Sequence, residues 1–196
     1  MENKLDFLAF GAHPDDVELG CSGALLKIID SGKKVGIIDL TLGELGTRGS
    51  SEIRSKETKE ASKLLGINIR ENLKFKDGFF TNDIEHQMKV ISIIRKYKPE
   101  FIFCNAPDDR HIDHPKASKL IVESCFLSGL SKIKTVDDLG NDQPHWRPKN
   151  IIHYIQWKNL KPDFILDISG YMKKKMDVIK CYRSQFYDAK SKEPET

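Results

Sequence analysis

The sequence has no long hydrophobic run and few cysteines, and each shortage excludes a class of protein. No apolar stretch approaches the roughly 18 residues that a membrane-spanning helix requires. The four cysteines form no closely spaced pairs, which disulfide-rich secreted domains and cysteine zinc sites usually show. We therefore expect a globular domain that is stabilised by its hydrophobic core.

A strong excess of one charge is also missing. The chain has 32 Lys and Arg against 29 Asp and Glu, and the basic residues are scattered among acidic ones rather than gathered in a stripe. This distribution predicts that nucleic acid is not a partner. The first residues have an acidic lead, unlike the basic lead of a signal peptide. We therefore expect a cytoplasmic protein without membrane insertion.

Apolar runs alternate along the chain with segments of helical periodicity. Strands are predicted at residues 5–10, 35–42, 73–75, 101–104, 151–157 and 164–168. Helices are predicted at residues 17–30, 52–65, 84–97, 116–127 and 171–186. Several strands are continuously apolar, which is typical of strands covered on both faces. The alternation predicts an α/β fold with a mostly parallel sheet.

The length of 196 residues fits one domain, which we place at residues 1–186. Residues 187–196 are polar and have no apolar pattern. We interpret them as a frayed tail or as the cut end of a longer chain.

The first polar motif, residues 13–16, directly follows the first predicted strand. In open α/β sheets, ligands bind beyond the carboxyl ends of the strands. His13 and Asp16 could reach one metal ion, and Asp15 would then be available as a general base. Alternatively, the two carboxylates only cap the helix that follows. This motif alone does not decide between the two interpretations.

The second polar motif, residues 111–114, follows the strand predicted at residues 101–104. It supplies His111 and His114 around the carboxylate of Asp113, which could orient His111. A solvated loop that begins the next helix is the alternative. A hydrolytic zinc centre needs about three protein ligands and a base, and the two motifs together can supply both. Their combination favours a metallohydrolase.

Other residues are candidates for substrate contacts. Glycines in residues 43–49 would let backbone amides approach an anion, although their spacing matches neither the Walker nor the dinucleotide pattern. Arg54 and Arg110 could grip carboxylates, and Asp77 could bind sugar hydroxyls. Surface arginines and an ordinary turn aspartate are the alternatives. Cys21 lies close behind the first motif, but we do not count it as a ligand.

The sequence resembles the LmbE-like, or PIG-L, zinc-dependent N-deacetylases. The resemblance rests on Ala-His-Pro-Asp-Asp at residues 12–16, on His-x-Asp-His at residues 111–114 and on the glycine-rich residues 43–49. Residues 109–111 and 182–186 look closest to the bacillithiol-pathway enzymes that deacetylate N-acetylglucosaminyl-malate. The resemblance implies a Rossmann-like three-layer α/β/α fold and a homo-oligomer, a trimer or a hexamer.

The resemblance also implies a role for each matching residue. The metal ligands would be His13, Asp16 and His114. The ion would be zinc, and Fe²⁺ also suits two histidines and one carboxylate. Asp15 would be the general base, and protonated His111, held by Asp113, would stabilise the oxyanion. Arg54 and Arg110 would bind the carboxylates of malate.

The resulting hypothesis is a hydrolase that removes the acetyl group from an N-acetylglucosaminide, with N-acetyl-α-D-glucosaminyl L-malate as the expected substrate. One alternative is a deacetylase of another N-acetyl glycan or an amidase of a thiol conjugate. Another is a module that binds a sugar phosphate or nucleotide and holds a structural ion. A structural zinc would usually want a closed shell that includes cysteine, and the two motifs contain none.

Overall fold

The computed structural model describes residues 4–186 and contains a five-stranded sheet in which every pairing is parallel. The strands are β1 (Phe7–Gly11), β2 (Val35–Thr41), β3 (Ile69–Phe75), β4 (Phe101–Asn105) and β5 (Asn150–Tyr154). Their order in the sheet is β3-β2-β1-β4-β5. This arrangement confirms the predicted α/β fold.

Helices cover both faces of the sheet. They are α1 (Asp16–Asp30), α2 (Ser51–Leu65), α3 (Ile84–Tyr97), α4 (Asp113–Ser128) and α5 (Met172–Ile179), with a short 3₁₀ helix at Ser169–Tyr171. One core cluster joins α3 and α4 to the sheet, and a second joins α1, α2 and α5 to its other face. The fold is therefore the predicted three-layer α/β/α arrangement.

Strand β1 shows why a continuously apolar run was needed. Leu8 and Phe10 point into the cluster with α3 and α4, whereas Ala9 points into the cluster with α1 and α2. All three side chains are fully buried. Because successive side chains of a strand face opposite sides, a strand covered on both faces needs apolar residues at every position.

Several predicted elements differ from the structure, including the strand predicted at residues 151–157, which ends at Tyr154. The prediction of a strand at residues 164–168 is wrong: this segment is irregular, and Phe164 and Ile165 are exposed. No neighbouring backbone in the described part of the chain pairs with it, so its apolar residues do not form a ladder. The last helix ends at Ile179 rather than at 186, and β3 begins at Ile69 rather than at 73. The tail predicted at 187–196 lies outside the described residues.

Within residues 4–186, no helix has both the length and the apolar character needed to cross a bilayer.

The sheet order explains why two distant motifs can form one site. The order reverses between β1 and β4, which are adjacent in the sheet although far apart in the sequence. Such a switch point opens a crevice at the carboxyl ends of the strands. The first motif follows β1, and the second spans the end of the loop after β4 and the first two residues of α4. Both therefore lie at this crevice.

Candidate metal centre

The turn after β1 presents two adjacent carboxylates differently. Asp15 has a positive φ of 111°, a conformation that aspartate adopts more readily than most residues, and its side chain caps no amide of α1. Asp16 begins the helix, and its Oδ2 accepts a hydrogen bond of 2.9 Å from the backbone N–H of His13. The interpretation that both carboxylates only cap the helix therefore does not hold for Asp15.

The three predicted metal ligands lie together. Nε2 of His114 is 3.2 Å from Oδ1 of Asp16, and Nδ1 of His13 is 3.6 Å from Oδ2 of Asp16. All three residues are buried. Ligand atoms around a tetrahedral zinc ion, with bonds of about 2.1 Å, are separated by about 3.4 Å. Each histidine is at about this distance from Asp16, and the two contacts use different oxygens of its carboxylate.

In His13 and His114, the ring nitrogen that does not face Asp16 faces another carboxylate. Nε2 of His13 is 3.0 Å from Oδ1 of Asp77 and 3.3 Å from Oδ2 of Asp113. Nδ1 of His114 is 3.4 Å from Oδ1 of Asp109. A histidine that binds a metal usually donates its other N–H to a carboxylate or carbonyl, which fixes the tautomer. His13 Nδ1 and His114 Nε2 therefore face Asp16, on the side where an ion would bind.

In the part of the chain that the structure describes, two groups of side chains are close enough to hold an ion. One is His13, His111 and His114, and the other is His13, Asp77 and Asp113. The first group contains two of the predicted ligands and His111. The second lies on the outer side of His13, where its two carboxylates are already placed to accept the Nε2 proton. We therefore interpret the second group as the support of His13.

Two residues that the sequence analysis missed hold Asp16 in place. Asn105, the last residue of β4, donates to Oδ2 of Asp16 over 3.1 Å. Gln156, two residues after β5, donates to Oδ1 over 2.9 Å. Both residues follow apolar strand residues, which is the signal that could have identified them. With both oxygens held, the carboxylate has a fixed orientation.

Asp15 and Asp16 differ in electrostatics as well as in geometry. Burial would raise the pKa of Asp16, but the facing His114 and His13 lower it well below its usual range. Burial, followed by the charge of Asp16, raises the pKa of Asp15 to about 7, although Arg54 and His13 oppose the shift. Neighbouring carboxylates with opposite shifts are typical of sites that use one as a ligand and the other as a base.

The carboxylate of Asp113 does not contact His111 in the way that the sequence predicted. Its oxygens contact His13, the backbone N–H of Gly78 at 2.8 Å and Nζ of Lys116 at 3.1 Å. The backbone N–H of Asp113 instead donates to Nδ1 of His111 over 3.2 Å. Asp113 therefore orients His111 through its main chain, because the short loop at the start of α4 brings that N–H to the ring.

The residues predicted to contact substrate have different surroundings. Both oxygens of Asp77 are engaged, one with His13 and the other with the backbone N–H of Leu45 at 3.0 Å, which leaves it placed for support rather than for sugar hydroxyls. Arg54 is buried beneath the glycine-rich loop. The guanidinium of Arg110 lies 5.0 Å from the ring centroid of Trp157.

The glycine-rich loop accommodates protein side chains. Gly43 has a φ of 65°, and a Cβ there would overlap Nη1 of Arg54. A Cβ at Gly49 would lie 2.7 Å from Oγ of Ser184. These glycines thus allow Arg54 and the residues after α5 to pack closely against the loop. The buried thiol of Cys21 also serves packing, since burial raises its pKa far above the usual value.

Comparisons with known proteins identify a family and several relatives. Residues 8–125 match the PIG-L family, whose description is GlcNAc-PI de-N-acetylase. The diacetylchitobiose deacetylase of Thermococcus kodakarensis is 29% identical over 189 residues, which cover 91% of this chain and 69% of that protein. A probable N-acetyl-α-D-glucosaminyl L-malate deacetylase 2 of Bacillus anthracis is 23% identical over 202 residues, covering 95% and 84% of the two chains.

A solved structure shows the same fold. The conserved protein TT1542 of Thermus thermophilus superposes with a TM-score of 0.86 at 37% identity, covering 93% of this chain and 80% of that protein. Because the family match spans more than half of the sequence and includes both polar motifs, the chain belongs to the PIG-L family.

Proposed function

We propose that this protein is a metal-dependent hydrolase that removes the acetyl group from an N-acetylglucosaminide. The observation that carries the proposal is the convergence of His13, Asp16 and His114 beside the Asp15 carboxylate, which caps no helix amide. The names of two relatives, a diacetylchitobiose deacetylase and a probable N-acetylglucosaminyl-malate deacetylase, support this reaction class.

His13, Asp16 and His114 would hold the ion, for which we propose zinc, with Fe²⁺ as the second candidate. When bound, the ion would polarise the acetyl carbonyl and lower the pKa of water. Both oxygens of Asp16 already accept hydrogen bonds from Asn105 and Gln156, so the ligand set needs little reorganisation.

Asp15 would act as the general base and then as the general acid. It would take a proton from the attacking water and later deliver it to the departing amine, which leaves acetate and a free amino sugar. A pKa raised to about 7 by burial suits both steps, because an acid–base catalyst works best with a pKa near the operating pH. A bound cation would shift this pKa downward.

His111 would stabilise the oxyanion that forms on the acetyl group. Its Nδ1 accepts the N–H of Asp113, so the ring carries its proton on Nε2 and can donate from there. Burial, together with His13 and His114, lowers the pKa of His111 and favours this neutral form. The family resemblance implied a protonated ring held by the Asp113 carboxylate, whereas the contacts of His111 favour the neutral donor.

Two substrates are candidates. One is N-acetyl-α-D-glucosaminyl L-malate, with Arg54 and Arg110 as the ligands of the malate carboxylates. The other is N,N′-diacetylchitobiose, which we favour because the identity to the diacetylchitobiose deacetylase is higher, 29% against 23%. The two substrates share the N-acetylglucosamine that faces the ion and differ in the group attached to it.

Metal analysis coupled to an acetate-release assay tests the proposal. The purified protein should contain about one equivalent of zinc or iron, lose acetate release after chelation, and regain it when the metal is returned. N-acetylglucosaminyl-malate, N,N′-diacetylchitobiose and an N-acetylated thiol conjugate form the substrate panel. A protein that binds no metal and releases no acetate from any of them would favour the binding-module alternative instead.

A further inference from the structure

A large aromatic side chain is exposed on the segment that follows β5. Trp157 is 70% exposed, although tryptophan is usually well buried in globular proteins. It directly follows Gln156, which holds Asp16. Exposed aromatic groups at the mouth of a polar site are typical of ligand-binding surfaces.

Trp157 contacts the two residues that directly precede the second polar motif, Asp109 and Arg110. Its backbone N–H is 3.4 Å from Oδ2 of Asp109, whose other carboxylate oxygen faces His114. The guanidinium of Arg110 lies 5.0 Å from the centroid of the Trp157 ring. A cation over one face orients an aromatic ring. One residue, Asp109, thus links the tryptophan to a predicted metal ligand.

This placement distinguishes between the two candidate substrates. When an N-acetylglucosamine faces the metal centre, its attached group extends toward the rim. A pyranose ring has a flat face of C–H groups that can pack on an indole, whereas malate is small, flexible and anionic. The indole offers a large apolar contact area, and Arg110 is already engaged with the ring.

We propose that Trp157 is a platform on which the second sugar ring of a disaccharide substrate packs. The substrate is then a glycoside whose attached group is a pyranose rather than a dicarboxylic acid. This inference rests on the proposed deacetylase function and names the substrate class of the same site.

The test measures sugar binding to the purified protein with its metal. The ligands are the fully deacetylated disaccharide of glucosamine, which has no acetyl group to lose, and glucosamine itself. Calorimetry should show that Trp157→Ala weakens binding of the disaccharide about fivefold to tenfold and leaves binding of glucosamine unchanged. Trp157→Phe, which keeps an aromatic face, should restore most of the lost affinity.

A matched pair elsewhere on the molecule supplies the control. Phe126, at the far end of α4, is also exposed and lies 4.4 Å beneath the guanidinium of Arg147. Phe126→Ala should leave the binding of both sugars unchanged. Equal binding of the disaccharide by wild type and Trp157→Ala would overturn the proposal, and so would an equal loss in Phe126→Ala.

Two further results would also overturn the proposal that Trp157 is a platform for a sugar ring. If octyl glucosaminide depends on Trp157 as strongly as the disaccharide does, the ring is a general apolar contact. If Trp157→Ala changes the sedimentation mass but not sugar binding, the ring belongs to a contact between copies of the chain. Trp157-dependent disaccharide binding without acetate release from N,N′-diacetylchitobiose would instead contradict the proposed function and leave the platform supported.

Discussion

At the scale of single residues, two adjacent carboxylates have different environments and different proposed roles. Asp16 faces His13 and His114 and receives hydrogen bonds from Asn105 and Gln156. Asp15 caps no helix amide, and burial raises its pKa. A fixed, ionised carboxylate suits a ligand, whereas a carboxylate that exchanges its proton near neutral pH suits a base.

The role of Asp15 is tested by its isosteric amide. Asp15→Asn should bind metal as tightly as the wild type, because Asp15 is not among the proposed ligands, and should lose about 10²–10⁴-fold in kcat. Metal content and acetate release, measured on the same sample, check this. Near-normal turnover with a full complement of metal would exclude Asp15 as the base.

The two histidines of the second motif should respond differently to removal. His114→Ala should reduce metal affinity, since Nε2 of His114 faces Asp16 at 3.2 Å. His111→Ala should retain the metal and lose about 10²–10³-fold in kcat, the usual cost of removing an oxyanion donor. Competition for zinc with a chromogenic chelator measures the first effect. Equal loss of metal in both variants would contradict this division of roles.

At the scale of elements, the loops after β1, β2 and β3 depend on one another. The loop after β2 carries glycines against Arg54, and Leu45 in the same loop donates its N–H to Asp77, which supports His13. A change in this loop therefore reaches the candidate centre through a side chain of the next loop. Sequence spacing gives no indication of this connection.

Substitution of Gly43 tests the close packing of this loop. Gly43→Ala places a methyl group against Arg54 and forces alanine to a φ of 65°. We expect a loss of about 2–4 kcal/mol in the free energy of unfolding, from backbone strain and overpacking together. Urea unfolding followed by circular dichroism measures the change.

Gly32 provides the matched control. It also has a positive φ, 81°, but a Cβ there would meet nothing within 4 Å. Gly32→Ala should therefore cost only the backbone strain, about 1–2 kcal/mol. Equal losses in the two variants would show that Arg54 does not constrain the loop.

At the scale of the whole molecule, a site built from so many ionisable groups links stability to pH. In the metal-free protein, carboxylate contacts raise the pKa of His13 and of His114 against the effect of burial, and burial raises the pKa of Asp15 to about 7. Burial lowers the pKa of His111. This shift changes stability only below about pH 6.5, the pKa of a histidine in the unfolded chain.

The direction in which stability changes with pH follows from the number of protons that the folded and unfolded states bind. Above about pH 6.5, the folded metal-free protein holds more protons at His13, His114 and Asp15 than the unfolded chain does, so its stability falls as pH rises. The metal-loaded protein should become more stable over the same range, because protons compete with the ion for the ligands. The difference in Tm between the two forms should therefore widen from about pH 6.5 to about pH 8 in thermal unfolding scans. A constant difference would contradict a metal site at these residues.

The sequence by itself determined the fold class, the strands that bury both faces and the two motifs at the switch point. It could do so because apolar periodicity and chain order are local properties. It could not give the contacts of Asp77, which supports His13, or of Asn105 and Gln156, which hold Asp16. It also predicted a strand at residues 164–168, because an apolar run does not reveal whether a partner strand is present.

Only the tertiary structure decided how the residues of the two motifs face one another. Asp113 orients His111 with its backbone N–H while its carboxylate contacts His13, and Trp157, from beyond β5, lies against Arg110. These contacts join residues from separate loops. The residue types identify which groups can coordinate a metal ion or donate a hydrogen bond. The distances and directions between loops are set by how the sheet and helices pack.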